Sequence, residues 1–114
     1  MSPSWRKSLS NPPKPSPARL EADANGGFCI LGELSFATVG EVLVHSTPVL
    51  EAAADPCQID CSQLARVDSA GVALMVEWLR LRRAAGKDIR YTGISPETRA
   101  IIEVSDLDGL LPMD

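Results

Sequence analysis

The sequence predicts an α/β fold, a small mixed β-sheet with helices packed against it, on three observations. Short apolar runs of strand length alternate with longer segments of helical period. The helical segments open on capping signals and close on Gly or Asp-Pro. The length of 114 residues fits one domain with one core.

Residues 1–17 hold five of the nine prolines. Each removes a donor and disfavours helix before it, so this leader is expected to be extended and disordered, with the domain running from 18 to 114. Ala18–Ala22 reads as a short first strand. Asn25-Gly26-Gly27 is a turn signal, with Phe28–Gly32 the returning strand of a hairpin. Thr38-Val39-Gly40-Glu41 has capping-box spacing and opens a helix through Val42, Leu43 and Val44. Thr47-Pro48 can restart that helix, with Leu50 to Ala54 finishing it before Asp55-Pro56. Cys57–Cys61 is a buried strand, and Leu64 to Val67 runs towards the next helix.

Ser69 to Ala85 is the most legible helix, with Ser69 as its cap and Gly86 as its stop. Val72, Met75, Val76 and Leu79 share one face, while Leu74, Trp78, Leu81 and Ala85 share another. One face suffices to cover a sheet. The second is either covered by another element or turned outward, which would make Leu74 and Trp78 partner contacts. Ile89–Thr92 is a further strand. Ser95-Pro96-Glu97 starts a helix from Pro96 to about Val104, and Leu107, Leu110 and Leu111 close the domain.

The first 20 residues carry Arg6, Lys7, Lys14 and Arg19 with no acid, against a net charge of −4 for the whole chain. The acidic body lacks the basic footprint of a nucleic-acid binder. The longest apolar run, Ala70–Val76, is far short of a membrane span of ~20 residues, and no signal peptide is legible. A cytoplasmic protein is expected. Cys29, Cys57 and Cys61 do not form a disulfide framework: in one strand Cys57 and Cys61 stand ~13 Å apart, so all three read as small core residues. With one histidine, His45, no zinc set is evident. Phosphate-loop and dinucleotide motifs are absent, and no nucleophile–base arrangement is placed. Neither a cofactor, a metal nor an enzymatic activity is expected.

What remains is Val67-Asp68-Ser69-Ala70-Gly71, where a strand end meets the unpaired amides of a helix start. Ser69 is either a plain cap, with Gly71 allowing close packing, or a hydroxyl for partner contact or phosphorylation.

Asp60-Cys61-Ser62, then Val67-Asp68-Ser69-Ala70-Gly71-Val72-Ala73-Leu74, resembles the pattern of STAS domains. Gly32-Glu33-Leu34 and Gly93-Ile94-Ser95-Pro96-Glu97 through Leu107-Asp108-Gly109-Leu110-Leu111-Pro112 are similar to the same family's flanking elements. The resemblance spans roughly residues 18–112 and implies a small mixed sheet with helices mainly on one side. The run Val-Asp-Ser-Ala-Gly before a long apolar helix looks most like the MlaB-like subset. That likeness implies a non-catalytic cytoplasmic accessory subunit held at the inner membrane by its complex. It would bind and support the ATPase of an Mla-type ABC transporter, which moves phospholipids between bacterial membranes and maintains outer-membrane lipid asymmetry. The alternative it implies is an anti-sigma factor antagonist phosphorylated on Ser69 by an anti-sigma factor kinase. Ala70, where antagonists commonly carry a second serine, favours the transporter subunit, and Cys61 replaces the usual leucine. The partner-binding residues expected are Asp68, Ser69, Ala70, Gly71, Leu74 and Trp78.

Overall fold

The computed structural model describes residues 18–24 and 26–114. The expected leader, 1–17, and the turn residue Asn25 lie outside the described residues. Along the chain run β1 (Arg19–Ala22), β2 (Phe28–Leu34), α1 (Val39–Ala52), β3 (Cys57–Asp60), β4 (Leu64–Val67), α2 (Ser69–Ala84), β5 (Ile89–Thr92) and α3 (Pro96–Val104).

These form a five-stranded mixed sheet. β1 and β2 are an antiparallel hairpin closed by a turn in which the Asp23 carboxylate accepts the Gly27 amide N–H at 2.9 Å. β2 is parallel to β3 over its first half and to β4 over its second, and β5 is parallel to β3. β3 and β4 thus occupy one lane beside β2, with a register shift at Gly32/Glu33. Burial alternates along the strands: Cys57, Ile59, Ile89 and Tyr91 are buried while Gln58 and Arg90 are exposed, so the helices cover one face. Beyond α3 the chain returns to the sheet: Tyr91 N–H donates to Pro112 O at 2.8 Å, and Asp114 N–H donates to Tyr91 O at 3.1 Å. Leu111 is buried there, whereas Leu110 is exposed.

Three sequence expectations change. Leu64–Val67 is a strand in its own right. α1 is one continuous helix across Pro48 and ends at Ala52, not Ala54. Near the missing proline N–H, the Thr47 hydroxyl donates back to Leu43 O at 2.7 Å. The capping box does not form either. Thr38 precedes α1, but its hydroxyl accepts Ser35 N–H at 3.0 Å and donates to Glu33 O at 2.8 Å, tying the strand end rather than the helix start.

The apolar core fills the space between sheet and helices, centred on Ile30, Leu34, Leu50, Ile59, Met75, Trp78, Tyr91 and Ile102. Two polar groups are built into it. The Tyr91 hydroxyl donates to Met75 O at 2.6 Å. Arg82, on α2, has a fully buried side chain that reaches across to the end of α1. Its guanidinium donates to Leu50 O at 2.9 Å, Ala53 O at 2.8 Å and Ala54 O at 2.9 Å, and to Asp88 O at 3.0 Å. α1 has no basic residue in its own last turn. Arg82 and Lys87, whose ammonium reaches Glu51 O at 3.1 Å, therefore supply the positive charge that the carbonyl end of a helix favours.

Candidate functional site

β2 and β4 both end beside the start of α2, and the residues singled out by the sequence meet there. Asp68, not Ser69, is the N-cap: its extended backbone precedes α2 and its Oδ1 accepts the Gly71 amide N–H at 3.1 Å. Ser69 is the first helical residue and is exposed. Either residue type can cap. The aspartate takes the position because its second oxygen has a use: Oδ2 accepts the amide N–H of Phe36, in the turn between β2 and α1, at 3.0 Å. Burial pushes the Asp68 carboxyl up, but the amides of Phe36, Gly71 and Ala70 and the nearby Arg66 outweigh it and hold it below its ordinary value.

Gly71 is buried because α2 starts against the end of β2. A Cβ there would stand 2.1 Å from the carbonyl oxygen of Leu34, so only glycine fits this approach. Ala70 is half-buried beside it.

Leu74 and Trp78 do not join this surface. Trp78 is 0% exposed and Leu74 5%. The second apolar face of α2 is covered, since α1 packs along it, and the Trp78 indole N–H donates to the Ser46 hydroxyl at 2.8 Å. The outward placement that made both residues partner contacts is thereby corrected. They are core.

Phe36 is the residue missed from the sequence. Its ring is 85% exposed, the one aromatic among the exposed large hydrophobic residues described. The signal available was an aromatic placed in the polar turn after Gly32-Glu33-Leu34-Ser35.

A crevice of about 270 Å³ opens between β4 and the start of α3, with Cys61, Met75 and Ile94 in its lining and Arg66 and Glu97 among its polar residues. The Cys61 thiol is pushed up to about 12 by burial and by Asp60, so it stays protonated at neutral pH. Cys57 is raised by burial too, and all three cysteines are free thiols; Cys29 is only half-buried. His45 is exposed on α1, 3.9 Å from Glu41. No cluster of metal-ligating side chains occurs among the described residues. None of their helices is long and apolar enough to cross a membrane.

A one-sided mixed sheet that presents a small hydroxyl and an aromatic ring on neighbouring turns has the form of a protein-interaction module. The chain belongs to the STAS family: the model described as "Mlab, STAS domain" matches residues 21–112. Among solved structures it is similar to the anti-sigma factor antagonist SpoIIAA in its unphosphorylated form, with TM-score 0.64, 21% identity, and 85% of this chain and 87% of that one covered. It is similar also to an anti-sigma-factor antagonist (STAS) domain protein from Planctomyces limnophilus, with TM-score 0.64, 16% identity and coverage of 86% and 89%. The phosphorylated form of SpoIIAA, a Bacillus cell fate determinant, gives TM-score 0.60, 21% identity and coverage of 85% and 90%. At these identities the structures establish the fold. No curated protein matches the chain.

Proposed function

We propose that this domain is a non-catalytic cytoplasmic subunit that binds and supports the ATPase of an Mla-type ABC transporter of phospholipids. It would be held at the inner membrane through that complex. The observation that carries the reading is the match to the Mlab-type STAS model over residues 21–112, which includes the exposed hydroxyl of Ser69 at the start of α2. The second reading, an anti-sigma factor antagonist switched by phosphate on Ser69, is favoured by the SpoIIAA likenesses. Ala70 after the serine favours the first.

Copurification from cells with mass-spectrometric identification separates them. The ATPase and its permease should come down with the domain, and Ser69 should be found mainly unmodified. Ser69→Glu should abolish docking while leaving the melting midpoint within a few degrees, because the new charge lies beside the Asp68 carboxylate at the contact surface while α2 keeps its cap. An anti-sigma kinase in place of the ATPase, with condition-dependent phosphate on Ser69, overturns the proposal in favour of the second reading.

A further inference from the structure

We propose that Phe36 and Ser69 form one two-point docking surface, with Asp68 as the positioning residue that holds the two together. The inference rests on the reading that a protein partner docks at Ser69, and it names what else that partner must grip.

The first support is how Phe36 is displayed. Phe36 is 85% exposed, the one aromatic among the exposed large hydrophobic residues described, and its turn has little freedom. Ser35, immediately before it, is buried, and its carbonyl accepts the amides of Thr38 and Val39, each at 2.9 Å. Its own N–H goes to the Thr38 hydroxyl at 3.0 Å, and its hydroxyl goes to Glu33 at 2.6 Å. The Phe36 amide is then fixed by Asp68 Oδ2. A ring presented from a pre-ordered turn loses little backbone entropy when it is bound, which is how a small apolar anchor gains affinity.

The second support is the link to Ser69. The two oxygens of one carboxylate hold the Phe36 turn and the first turn of α2, at 3.0 and 3.1 Å. Phe36 and Ser69 are therefore set by a single group rather than by two independent loops. Asp68 also joins the strand itself, its N–H donating to Leu34 O at 3.3 Å.

The third support is the character of the surrounding surface, which chooses the occupant. Ala37 and Gly40 beside Phe36, and Ala73 one turn beyond Ser69, are exposed, small and uncharged, and the nearest exposed charges in sequence are Glu41 and Arg66. A Cβ on Gly40 would meet nothing within 4 Å, so that spot is open space. The Asp68 charge is already taken up by backbone amides. Interface centres are depleted of charge in this way. The surface fits a protein with an uncharged apolar socket for the ring and small groups beside it that meet the Ser69 hydroxyl. An anionic bilayer would also take an apolar ring, but the chain's net charge of −4 opposes it.

The test uses the full chain and the transporter ATPase, by calorimetry, with three variants. Phe36→Ser should weaken binding at least about 30-fold, the size of an interface hot spot, with an unchanged melting midpoint. Asp68→Ser keeps an N-cap hydroxyl for α2 but is too short to hold both amides. It should weaken binding about 5- to 10-fold and speed hydrogen exchange of the Phe36 amide, whereas Ser69→Ala should leave that exchange slow. In the double variant Phe36→Ser/Asp68→Ser the total loss should fall short of the sum, because part of the Asp68 effect acts through the ring. Wild-type binding with Phe36→Ser equally tight overturns the inference and leaves the proposed function standing. An ATPase that fails to bind the wild-type domain refutes the proposed function, and slow Phe36 exchange in Asp68→Ser overturns the positioning role by itself. Sedimentation with phosphatidylglycerol vesicles that depends on Phe36 would overturn the choice of a protein occupant.

Discussion

Replacing Arg82 by Met should cost this domain about 3 kcal/mol, although Arg80 and Arg83 beside it are exposed. Met keeps most of the aliphatic volume of the buried stem, so the loss reports the guanidinium. Four carbonyl oxygens lose a charged donor. They will not lose equally. Asp88 and Ala54 are exposed residues, so their carbonyls can recover water. Leu50 is fully buried, and Ala53 keeps only the Lys87 ammonium at 3.3 Å. An acceptor stranded away from water costs about 1–3 kcal/mol, so the Leu50 carbonyl, with a smaller part from the weakened Ala53 carbonyl, gives the figure of about 3. For a domain of this size that is a fall of roughly 10–20 °C in the melting midpoint.

Urea and thermal unfolding of wild type, Arg82→Met and Arg82→Lys supply the measurement. Lysine keeps the charge but lacks the planar fork, so it should reach one or two carbonyls and fall between the other two proteins. A loss below about 1 kcal/mol for Arg82→Met would refute the reasoning, because it would mean that water replaces the guanidinium at the end of α1 at little cost. A loss as large for lysine as for methionine would show that fork geometry, and not positive charge at the helix end, carries the effect.

Trp78→Ala should destabilise by about 3–5 kcal/mol, since it empties a fully buried site and leaves the Ser46 hydroxyl with only its 3.4 Å bond to Leu43 O; urea unfolding checks it, and a near-neutral result would contradict the burial. Gly71→Ala should lower the urea midpoint by the equivalent of about 2 kcal/mol despite alanine's better helix propensity, because its Cβ would press on the Leu34 carbonyl; a gain in stability would show that α2 can move away. The Asp68 carboxyl titrates below its unfolded value, so its contribution is complete above the ordinary carboxylate pKa of about 3.9 and disappears as pH falls through the lower folded value. The stability gap between wild type and Asp68→Asn, from urea unfolding at pH 3 to 7, should accordingly be constant above about pH 5 and shrink below about pH 4; a pH-independent gap counts against the carboxylate's role.

Much of the fold was legible because local and global signals agreed. The span Ile89–Thr92, and the Ser95 cap with Pro96 opening α3, follow from the sequence alone: the Ser95 hydroxyl accepts the Thr98 amide N–H at 3.1 Å, as its pattern requires. The failures share a cause, which is that the deciding partner is distant in sequence. Period placed Leu74 and Trp78 on a second apolar face but could not say what covered it. The answer is α1, whose Ser46 supplies an acceptor 32 residues away. Ser69 was expected as the cap, but Asp68 takes that position, its second carboxylate oxygen accepting the amide of Phe36, also 32 residues away. The buried role of Arg82 likewise depends on the end of α1, 32 residues away, whose carbonyls it reaches. Pro48 looked like a break because the sequence does not reveal that the packed face of Val42, Ser46 and Leu50 holds α1 together across it.

The two long-range ties have a consequence for how the site works. Asp68 joins the start of α2 to the turn before α1, and Arg82 joins the end of α2 to the end of α1. The two helices therefore run alongside each other in the same direction, with both N-termini at the end of the sheet where β2 and β4 stop. Ser69 and Arg82 are thirteen residues apart in one helix, about 20 Å along its axis at 1.5 Å per residue. At that separation, substitutions at the two ends should act nearly independently. The Arg82 end and the buried Trp78 carry stability, while the Phe36–Ser69 end presents side chains whose removal leaves no buried group unpaired. Ser69 and Phe36 are thus free to vary without loosening the pair of helices, because Asp68, Trp78 and Arg82 keep α1 and α2 together.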